Sequence, residues 1–156
     1  MNISLILIGK TDENYIETGL SEYLKRLKKY VNFEIFIIPR NKNSKNLSEN
    51  EQKKYESKKI MEKISKSDYL VLLDEKGKSR SSTEFADFLN NRMSSGIKNL
   101  VFLIGGPYGV DNSVYERANY KLSLSKMTFS HQIIRLFFLE QIYRAFTILN
   151  NEPYHH

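Results

Sequence analysis

The chain of 156 residues contains no cysteine and no long apolar run. Without cysteine it cannot form a disulfide bond, a thiolate nucleophile or a cysteine-based zinc site. A membrane-spanning helix needs roughly 18 consecutive apolar residues, and the sequence has no such run. Its apolar start, residues 3–8, lacks the basic flank and the small-residue cleavage site of a signal peptide. We therefore expect a cytoplasmic protein without a membrane span.

Several common catalytic motifs are missing as well. Only Gly9 follows the first apolar run, whereas a dinucleotide fingerprint needs three spaced glycines. Gly77-Lys78-Ser79 ends like a phosphate-binding loop, but Leu72 stands where the first glycine of that loop belongs. There is no Gly-x-Ser-x-Gly elbow, and the three histidines lack the spacing of a metal site. The sequence therefore predicts no dinucleotide, nucleotide-phosphate or metal site.

Chain length limits the number of domains, and net charge bears on the type of partner. A chain of this length is about one domain and can bury a substantial core, so we expect a single domain over residues 1–156. The net charge of +6 indicates a polyanionic partner such as RNA, because Lys and Arg side chains that neutralise phosphates release counterions. This indication is weak, since many basic proteins of this size are enzymes and charge says nothing about fold.

The most informative stretch covers residues 101–109, Val-Phe-Leu-Ile-Gly-Gly-Pro-Tyr-Gly. Four large apolar residues precede three of the chain's seven glycines, which is typical of a buried strand that ends in a tight loop. Glycine has no Cβ, so a ligand can approach the main chain, and open α/β sheets bind ligands beyond the carboxyl ends of their strands. The same composition also fits a plain turn with positive φ. The residues alone leave both interpretations open.

Alternating apolar patterns predict five strands and five helices, as in an α/β protein with a mainly parallel sheet. The predicted strands cover residues 3–8, 33–38, 69–73, 101–104 and 121–124. The predicted helices cover residues 12–30, 48–66, 81–96, 111–118 and 131–150. Capping boxes are expected at Ser48 with Glu51 and at Ser81 with Glu84, and residues 40–46 are expected to form a mobile loop.

Four further features bear on function. Asp74 and Glu75 precede a glycine turn at the end of the third predicted strand, a second place where ligand contacts could gather. Lysines on the second helix, interrupted by Glu56 and Glu62, favour a solvated helix over an RNA-binding one. The apolar face of the last helix is broad enough to predict packing against a second subunit. The terminal residues 153–156 fit a functional tail, a disordered end or a trimmed affinity tag.

Four ordered blocks carry a resemblance to a known family. They are residues 105–109 (Gly-Gly-Pro-Tyr-Gly), 122–129 (Leu-Ser-Leu-Ser-Lys-Met-Thr-Phe), 140–146 (Glu-Gln-Ile-Tyr-Arg-Ala-Phe) and 153–155 (Pro-Tyr-His). Together they resemble the SPOUT, or trefoil-knot, methyltransferases that modify N3 of a pseudouridine in large-subunit (23S) ribosomal RNA. The resemblance covers essentially the whole chain. It implies an α/β domain with a C-terminal trefoil knot, a homodimer, and S-adenosylmethionine as the methyl donor.

The resemblance also implies the site residues. The cofactor-binding residues would be Leu73, Gly105, Leu124, Ser125, Lys126, Met127, Thr128 and Phe129. The catalytic residues would be His155, Tyr154 and Arg144, with the tail supplied by the partner subunit. His155 would serve as the base because an imidazole titrates near neutrality, Tyr154 would stack on or hydrogen-bond the acceptor base, and Arg144 would stabilise negative charge or clamp a phosphate. His131 and Arg135 are second choices for which structural roles fit equally well.

Without an appended RNA-binding domain, the chain has little surface for reading RNA. The expected activity is therefore methylation of N3 of a pseudouridine within the assembled ribosome, with residues 25–29 and 40–45 as candidate phosphate contacts. Two alternatives stay open: a non-catalytic RNA-binding or ribosome-assembly factor of the same fold, and a SPOUT enzyme that acts on transfer RNA.

Overall fold

The computed structural model describes residues 1–156 and contains one five-stranded sheet in which every pair of neighbouring strands is parallel. The strands are β1 (Asn2–Ile8), β2 (Phe33–Ile38), β3 (Tyr69–Ser79), β4 (Asn99–Ile104) and β5 (Tyr120–Ser123), in the spatial order β2-β1-β4-β3-β5. The α-helices are α1 (Asn14–Leu27), α2 (Glu49–Lys63), α3 (Ser82–Ser94), α4 (Asn112–Arg117) and α5 (Ile133–Leu149). The predicted α/β class is thereby confirmed; the trefoil knot and the domain bounds stay predictions.

Helices cover both faces of the sheet because its central strands are apolar on both sides. Successive side chains of a strand point to opposite faces; accordingly, Leu5 and Leu7 of β1 join one core cluster, whereas Ile6 and Ile8 join another. The larger cluster includes buried residues of α1, α3 and α5, and the smaller one lies against α2 and α4. None of the helices combines the length and the apolar character needed to cross a membrane.

The helix starts follow the predicted capping chemistry in part. The capping box at α3 is complete, since Ser81 Oγ accepts a hydrogen bond from Glu84 N and Ser81 N donates to Glu84 Oε2 at 2.7 Å. At α2 only half of the box forms: Ser48 Oγ accepts from Glu51 N, without a return bond from the Glu51 side chain. Asp111 caps α4 as expected, because its Oδ1 accepts from the first main-chain N–H groups of that helix.

The predicted turn after residue 73 was wrong, because β3 continues to Ser79. The register against β5 jumps between Leu73 and Lys78, so the intervening residues form a bulge and the strand then resumes pairing. Gly77 permits this, since a Cβ there would lie 2.7 Å from the main-chain carbonyl group of Lys121. The glycine therefore marks close approach of two strands rather than the end of one.

The loop of residues 40–46 contains one 3₁₀ turn, Ser44–Asn46, which begins where the Asn41 side chain accepts a hydrogen bond from Asn43 N. Its mobility stays a prediction.

One other expectation needs correction. The solvated character of α2 holds for its lysines but not for Glu56, which is 1% exposed. That helix buries a largely polar face, made of Gln52, Glu56, Ser57 and Ile60.

Gly77→Ala should lower the free energy of unfolding by about 2 kcal/mol, because the added Cβ would overlap fixed main-chain atoms of β5. Gly19→Ala is the matched control, since its Cβ would meet only the flexible end of Leu136 and alanine is favoured within a helix. Urea denaturation of both variants gives the comparison. Equal stabilities would contradict the close approach of β3 and β5.

Candidate functional site

A cavity of about 640 Å³ lies at the carboxyl edge of the sheet. Three chain segments form most of it, namely residues 72–76 around the bulge of β3 and the residues that follow β4 and β5. Parallel strands end at the same edge, so the loops that leave them must meet there. The volume is in the range of small-molecule sites.

Seven of the eight predicted cofactor-binding residues line this cavity. They are Leu73, Gly105, Leu124, Ser125, Met127, Thr128 and Phe129. The eighth, Lys126, is exposed and does not line it. Half of the lining residues are hydrophobic, and the charged ones are Asp74, Glu75 and Lys76 in the bulge of β3. The structure thus brings the predicted residues together, with walls made mostly of main chain and apolar groups.

The glycine loop after β4 is both a turn and a place of close approach. Gly109 has φ +79° and donates from its N–H to the carbonyl of Gly106 at 3.0 Å, which closes the turn. A Cβ at Gly105 would lie 3.2 Å from Gly109 and Val110. The turn with positive φ is therefore confirmed at Gly109, and the approach of a ligand to this main chain stays a prediction.

The loop between β5 and α5 is held largely by its own hydroxyl groups. Ser123 Oγ donates to the carbonyl of Ser125 at 2.8 Å, and Ser125 Oγ accepts from Met127 N at 2.9 Å. Thr128 Oγ1 donates to Glu75 Oε2 at 2.6 Å and so joins this loop to the bulge of β3. The sequence indicated that Glu75 lay at a ligand edge, but not which residue it would contact.

Arg135 has a structural position. Its side chain is 1% exposed and donates to the carbonyls of Ile8 (2.8 Å), Gly9 (3.1 Å) and His131 (3.0 Å), and to Thr11 Oγ1 (2.9 Å). These acceptors use four of the five guanidinium N–H donors, and the group is buried, so its role is structural. They also tie the first turn of α5 to the end of β1.

His131 lines the cavity, and its environment favours the neutral imidazole. Burial lowers the pKa of His131 below its ordinary value, and the positive charges of Arg40 and Arg135 lower it further. Arg40 Nη2 lies 2.7 Å from His131 Nε2. Since a guanidinium group can only donate, Nε2 must be the unprotonated nitrogen.

The predicted catalytic residues form a second group around Glu140 of α5. Glu140 Oε1 accepts hydrogen bonds from Arg144 Nη2 (2.6 Å) and Nε (3.0 Å), and from the Tyr154 hydroxyl (3.0 Å). Arg144 Nη1 lies 3.4 Å from His155 Nδ1, and the Tyr154 ring packs edge-on against Tyr143 with centroids 4.9 Å apart. The sequence analysis did not single out Glu140, although its spacing of four residues from Arg144 is a signal for a helical ion pair.

We call Glu140, Arg144, Tyr154 and His155 the tail cluster. Burial and hydrogen bonding keep two of its members, Tyr154 and Arg144, protonated. Burial raises the pKa of Tyr154, and its hydrogen bonds with Tyr23 and Glu140 raise it further, so the phenol keeps its proton. The hydrogen bond with Glu140 likewise raises the pKa of Arg144. Within one chain, however, Arg144, Tyr154 and His155 do not line the 640 Å³ cavity. The structure groups these three residues together but not with the residues around the cavity.

A family model described as "Predicted SPOUT methyltransferase" matches residues 1–155. The chain belongs to the SPOUT methyltransferase family. Three relatives similar to it are all named "Ribosomal RNA large subunit methyltransferase H". Identity is 56% to the protein of Flavobacterium johnsoniae and 57% to that of Flavobacterium psychrophilum, over 100% of this chain and 99% of each relative. Identity to the protein of Cytophaga hutchinsonii is 53% over 100% of both chains.

Membership of the SPOUT family implies that the chain uses a methyl donor. The family resemblance inferred from the four sequence blocks is confirmed by the match over nearly the full length. The roles of the individual site residues stay predictions.

The His131 imidazole should titrate below pH 6.5, because burial and two neighbouring positive charges disfavour its protonated form. Arg40→Met removes one of those charges and should raise the pKa of His131 toward its ordinary value. Lys42→Met removes an exposed charge two residues away and should leave it unchanged. Proton NMR titration, with the His131 signal assigned through His131→Asn, measures all three. An equal pKa of His131 in the wild type and in Arg40→Met would contradict the 2.7 Å contact between the two side chains.

Proposed function

We propose that this SPOUT methyltransferase transfers a methyl group from S-adenosylmethionine to N3 of a pseudouridine in large-subunit ribosomal RNA. The observation that carries the proposal is the convergence of the β3 bulge and the loops after β4 and β5 on one cavity. The full-length relatives named as ribosomal RNA large-subunit methyltransferases support the substrate class. They also disfavour the non-catalytic and transfer-RNA alternatives.

The cavity suits S-adenosylmethionine in size and chemistry. The donor carries no phosphate, so it needs no phosphate-binding loop, and its adenine and methionine parts can be held by main-chain groups and apolar walls. The glycine loop leaves main chain open to such a ligand, since Gly105, Gly106 and Gly109 line the cavity and have no Cβ. Asp74 and Glu75 at the cavity wall favour a cationic ligand.

S-adenosylmethionine supplies an electrophilic methyl carbon when it is bound. The residues of the chain then have two tasks: to hold N3 in line with that carbon, and to accept the N3 proton, because the protonated imide is a weak nucleophile. We assign the proton to His155. Arg144 keeps its proton and would donate a hydrogen bond to a carbonyl oxygen on which negative charge develops. Tyr154 donates its only proton to Glu140 and would stack on the acceptor base.

We infer a homodimer in which the tail of one subunit completes the cavity of the other. The support is geometric, since Tyr154 and His155 lie away from the cavity of their own chain. Large apolar side chains are exposed beside that cavity: Met127 is 73% exposed, Phe137 41% and Phe129 39%. Such a patch next to a site is typical of a surface that a second subunit covers.

The ribosome would provide most of the recognition. Among the candidate phosphate contacts, Lys25 and Lys29 already pair with Glu22 and Glu152. Lys28 and Lys42 are exposed and have no carboxylate within 4.0 Å, so their charges are available to phosphates. A few cations on a small domain give weak, non-specific RNA binding. Shape recognition of the assembled subunit would then supply the specificity.

Purified protein with S-adenosylmethionine should methylate ribosomes or large subunits from a strain lacking the gene, and methylate naked ribosomal RNA at least about tenfold more slowly. Mass spectrometry of digested ribosomal and transfer RNA locates the methyl group. A cofactor titration is the companion measurement. Binding of S-adenosylmethionine without RNA methylation, or equal rates on naked RNA, would contradict the proposed substrate, and absence of cofactor binding would favour a non-catalytic factor.

Heterodimers test whether the tail acts on the partner's cavity. One subunit carries Gly105→Val, which blocks the cavity, and the other carries His155→Ala, which removes the proposed base. Each homodimer should be inactive. The co-purified heterodimer should have roughly half of wild-type activity, since a two-fold assembly leaves one intact cavity facing one intact tail.

Activity in the wild-type homodimer but none in this heterodimer would place the tail and the cavity of each site on the same chain. S-adenosylmethionine binding to the His155→Ala homodimer is the control, and it should equal that of the wild type.

A further inference from the structure

Glu56 is the most unusual charged residue outside the sites described so far. It lies on α2, is 1% exposed, and has no salt bridge. Its Oε1 accepts a hydrogen bond from Gln52 Nε2 at 3.2 Å, but its buried Oε2 has no hydrogen-bond partner. Burying a carboxylate oxygen without a partner is unfavourable, so its position calls for a physical explanation.

The unpartnered oxygen lies directly behind the glycine loop. A Cβ built on Gly106 would lie 2.6 Å from Glu56 Oε2, so only a glycine fits against the carboxyl group. Gly106 itself lines the 640 Å³ cavity, whereas Glu56 does not. The next residue of α2, Ser57, accepts a hydrogen bond at its Oγ from Asp111 N at 2.9 Å. Two consecutive residues of α2 therefore support both ends of the loop, and one of them can place a negative charge behind the cavity wall.

We propose that Glu56 is a specificity-determining residue that makes the cavity prefer the positively charged methyl donor over the uncharged product of transfer. The inference rests on the proposed function, which supplies the two ligands, S-adenosylmethionine and S-adenosylhomocysteine. It concerns discrimination between them and not the ability to bind either one. Glu56 touches neither ligand and acts across Gly106.

Methyl transfer changes the charge of the cofactor, and this charge distinguishes S-adenosylmethionine from S-adenosylhomocysteine. The methyl carbon bonds to N3, whose proton passes to the base, and the electron pair of the broken carbon–sulfur bond stays on sulfur. The sulfonium thereby becomes a neutral thioether, while the remaining atoms of the two ligands are the same. A negative charge near the sulfur therefore attracts the donor and leaves the product unaffected.

The expected size of the effect follows from Coulomb's law. Two opposite unit charges roughly 10 Å apart, at the effective dielectric constant of about 20 that suits partly buried sites, change binding about tenfold. The effect acts through the wall of the cavity, so it needs no direct contact. It also favours release of product in exchange for new donor.

The protonation of Glu56 should respond to the ligand. Burial raises the pKa of Glu56 above 4.5, while the Gln52 hydrogen bond and the positive charge of Arg40 lower it. Gln52 and Arg40 are the polar side chains that face the carboxyl group, together with the Gly106 main chain. A nearby cation favours the ionised form. Affinity for S-adenosylmethionine should therefore rise with pH as Glu56 ionises, whereas affinity for S-adenosylhomocysteine should not.

The test measures the dissociation constants of both ligands by isothermal titration calorimetry on the full chain. Glu56→Gln keeps the shape of the side chain and an oxygen for Gln52, but removes the charge. Glu62→Gln is the matched control, because it removes the same charge from an exposed position of α2. Ser57→Ala removes the other support of the loop without changing charge.

Glu56→Gln should weaken S-adenosylmethionine binding about tenfold and leave S-adenosylhomocysteine binding unchanged. Glu62→Gln should change neither, and Ser57→Ala should weaken both ligands by the same factor. An equal change for both ligands in Glu56→Gln, or no change, would overturn the inference.

If Glu56→Gln does not fold, Gln52→Leu decides, because it removes the hydrogen bond that lowers the pKa of Glu56 and leaves Asp74, Glu75 and His131 at the cavity in place. The rise of S-adenosylmethionine affinity with pH should move to higher pH in this variant, and an unmoved profile would overturn the inference. Failure of the wild type to bind either ligand would instead refute the proposed donor.

Discussion

The buried guanidinium group of Arg135 fixes the geometry on which the candidate site depends. It bonds the first turn of α5 to carbonyl groups at the end of β1. The preceding strand, β5, lies at the far edge of the sheet, beyond β4 and β3. Residues 124–131 must therefore cross the carboxyl ends of β3 and β4 to reach this anchor. The loop covers the cavity because both of its ends are fixed, and the hydrogen bonds of its own hydroxyl groups then hold its shape.

Most of the sheet could be predicted from the sequence because its strands are short apolar runs bounded by glycine, proline or polar residues. β2 begins and ends at the predicted residues, and β1, β4 and β5 differ by one or two. β3 was predicted too short because Gly77 signals a turn and a close strand approach equally well, and only the position of Lys121 distinguishes them. The order of the strands could not be predicted, since periodicity within a strand contains no information about its neighbours.

The sequence predicted which edge of the sheet carries the candidate site, but not which side chains contact one another there. The glycines after β4 and the carboxylates after Leu73 indicated a ligand edge on general grounds, whereas the loop after β5 was assigned through family resemblance. Glu56 and Glu140 were missed for opposite reasons. Glu56 follows a helical pattern of lysines that suggests solvent, although α2 turns this residue inward to the glycine loop. Glu140 lies within an apolar helix, where its spacing from Arg144 indicates an ion pair, but its contact with Tyr154 is visible only in the structure.

The tail cluster constrains how His155 could act as a base. Arg144 can only donate, so the lone pair of His155 Nδ1 faces its guanidinium group at 3.4 Å. A neutral imidazole in that contact carries its proton on Nε2, so neither ring nitrogen has a free lone pair to accept the N3 proton. His155 can accept the N3 proton only if it leaves Arg144 or changes tautomer when the acceptor base arrives. Glu140 makes the first course feasible, because its two hydrogen bonds hold Arg144 in place without His155. The 3.4 Å contact between Arg144 and His155 would then be replaced by a contact between His155 and the substrate. The stronger ion pair between Arg144 and Glu140 keeps the guanidinium group oriented.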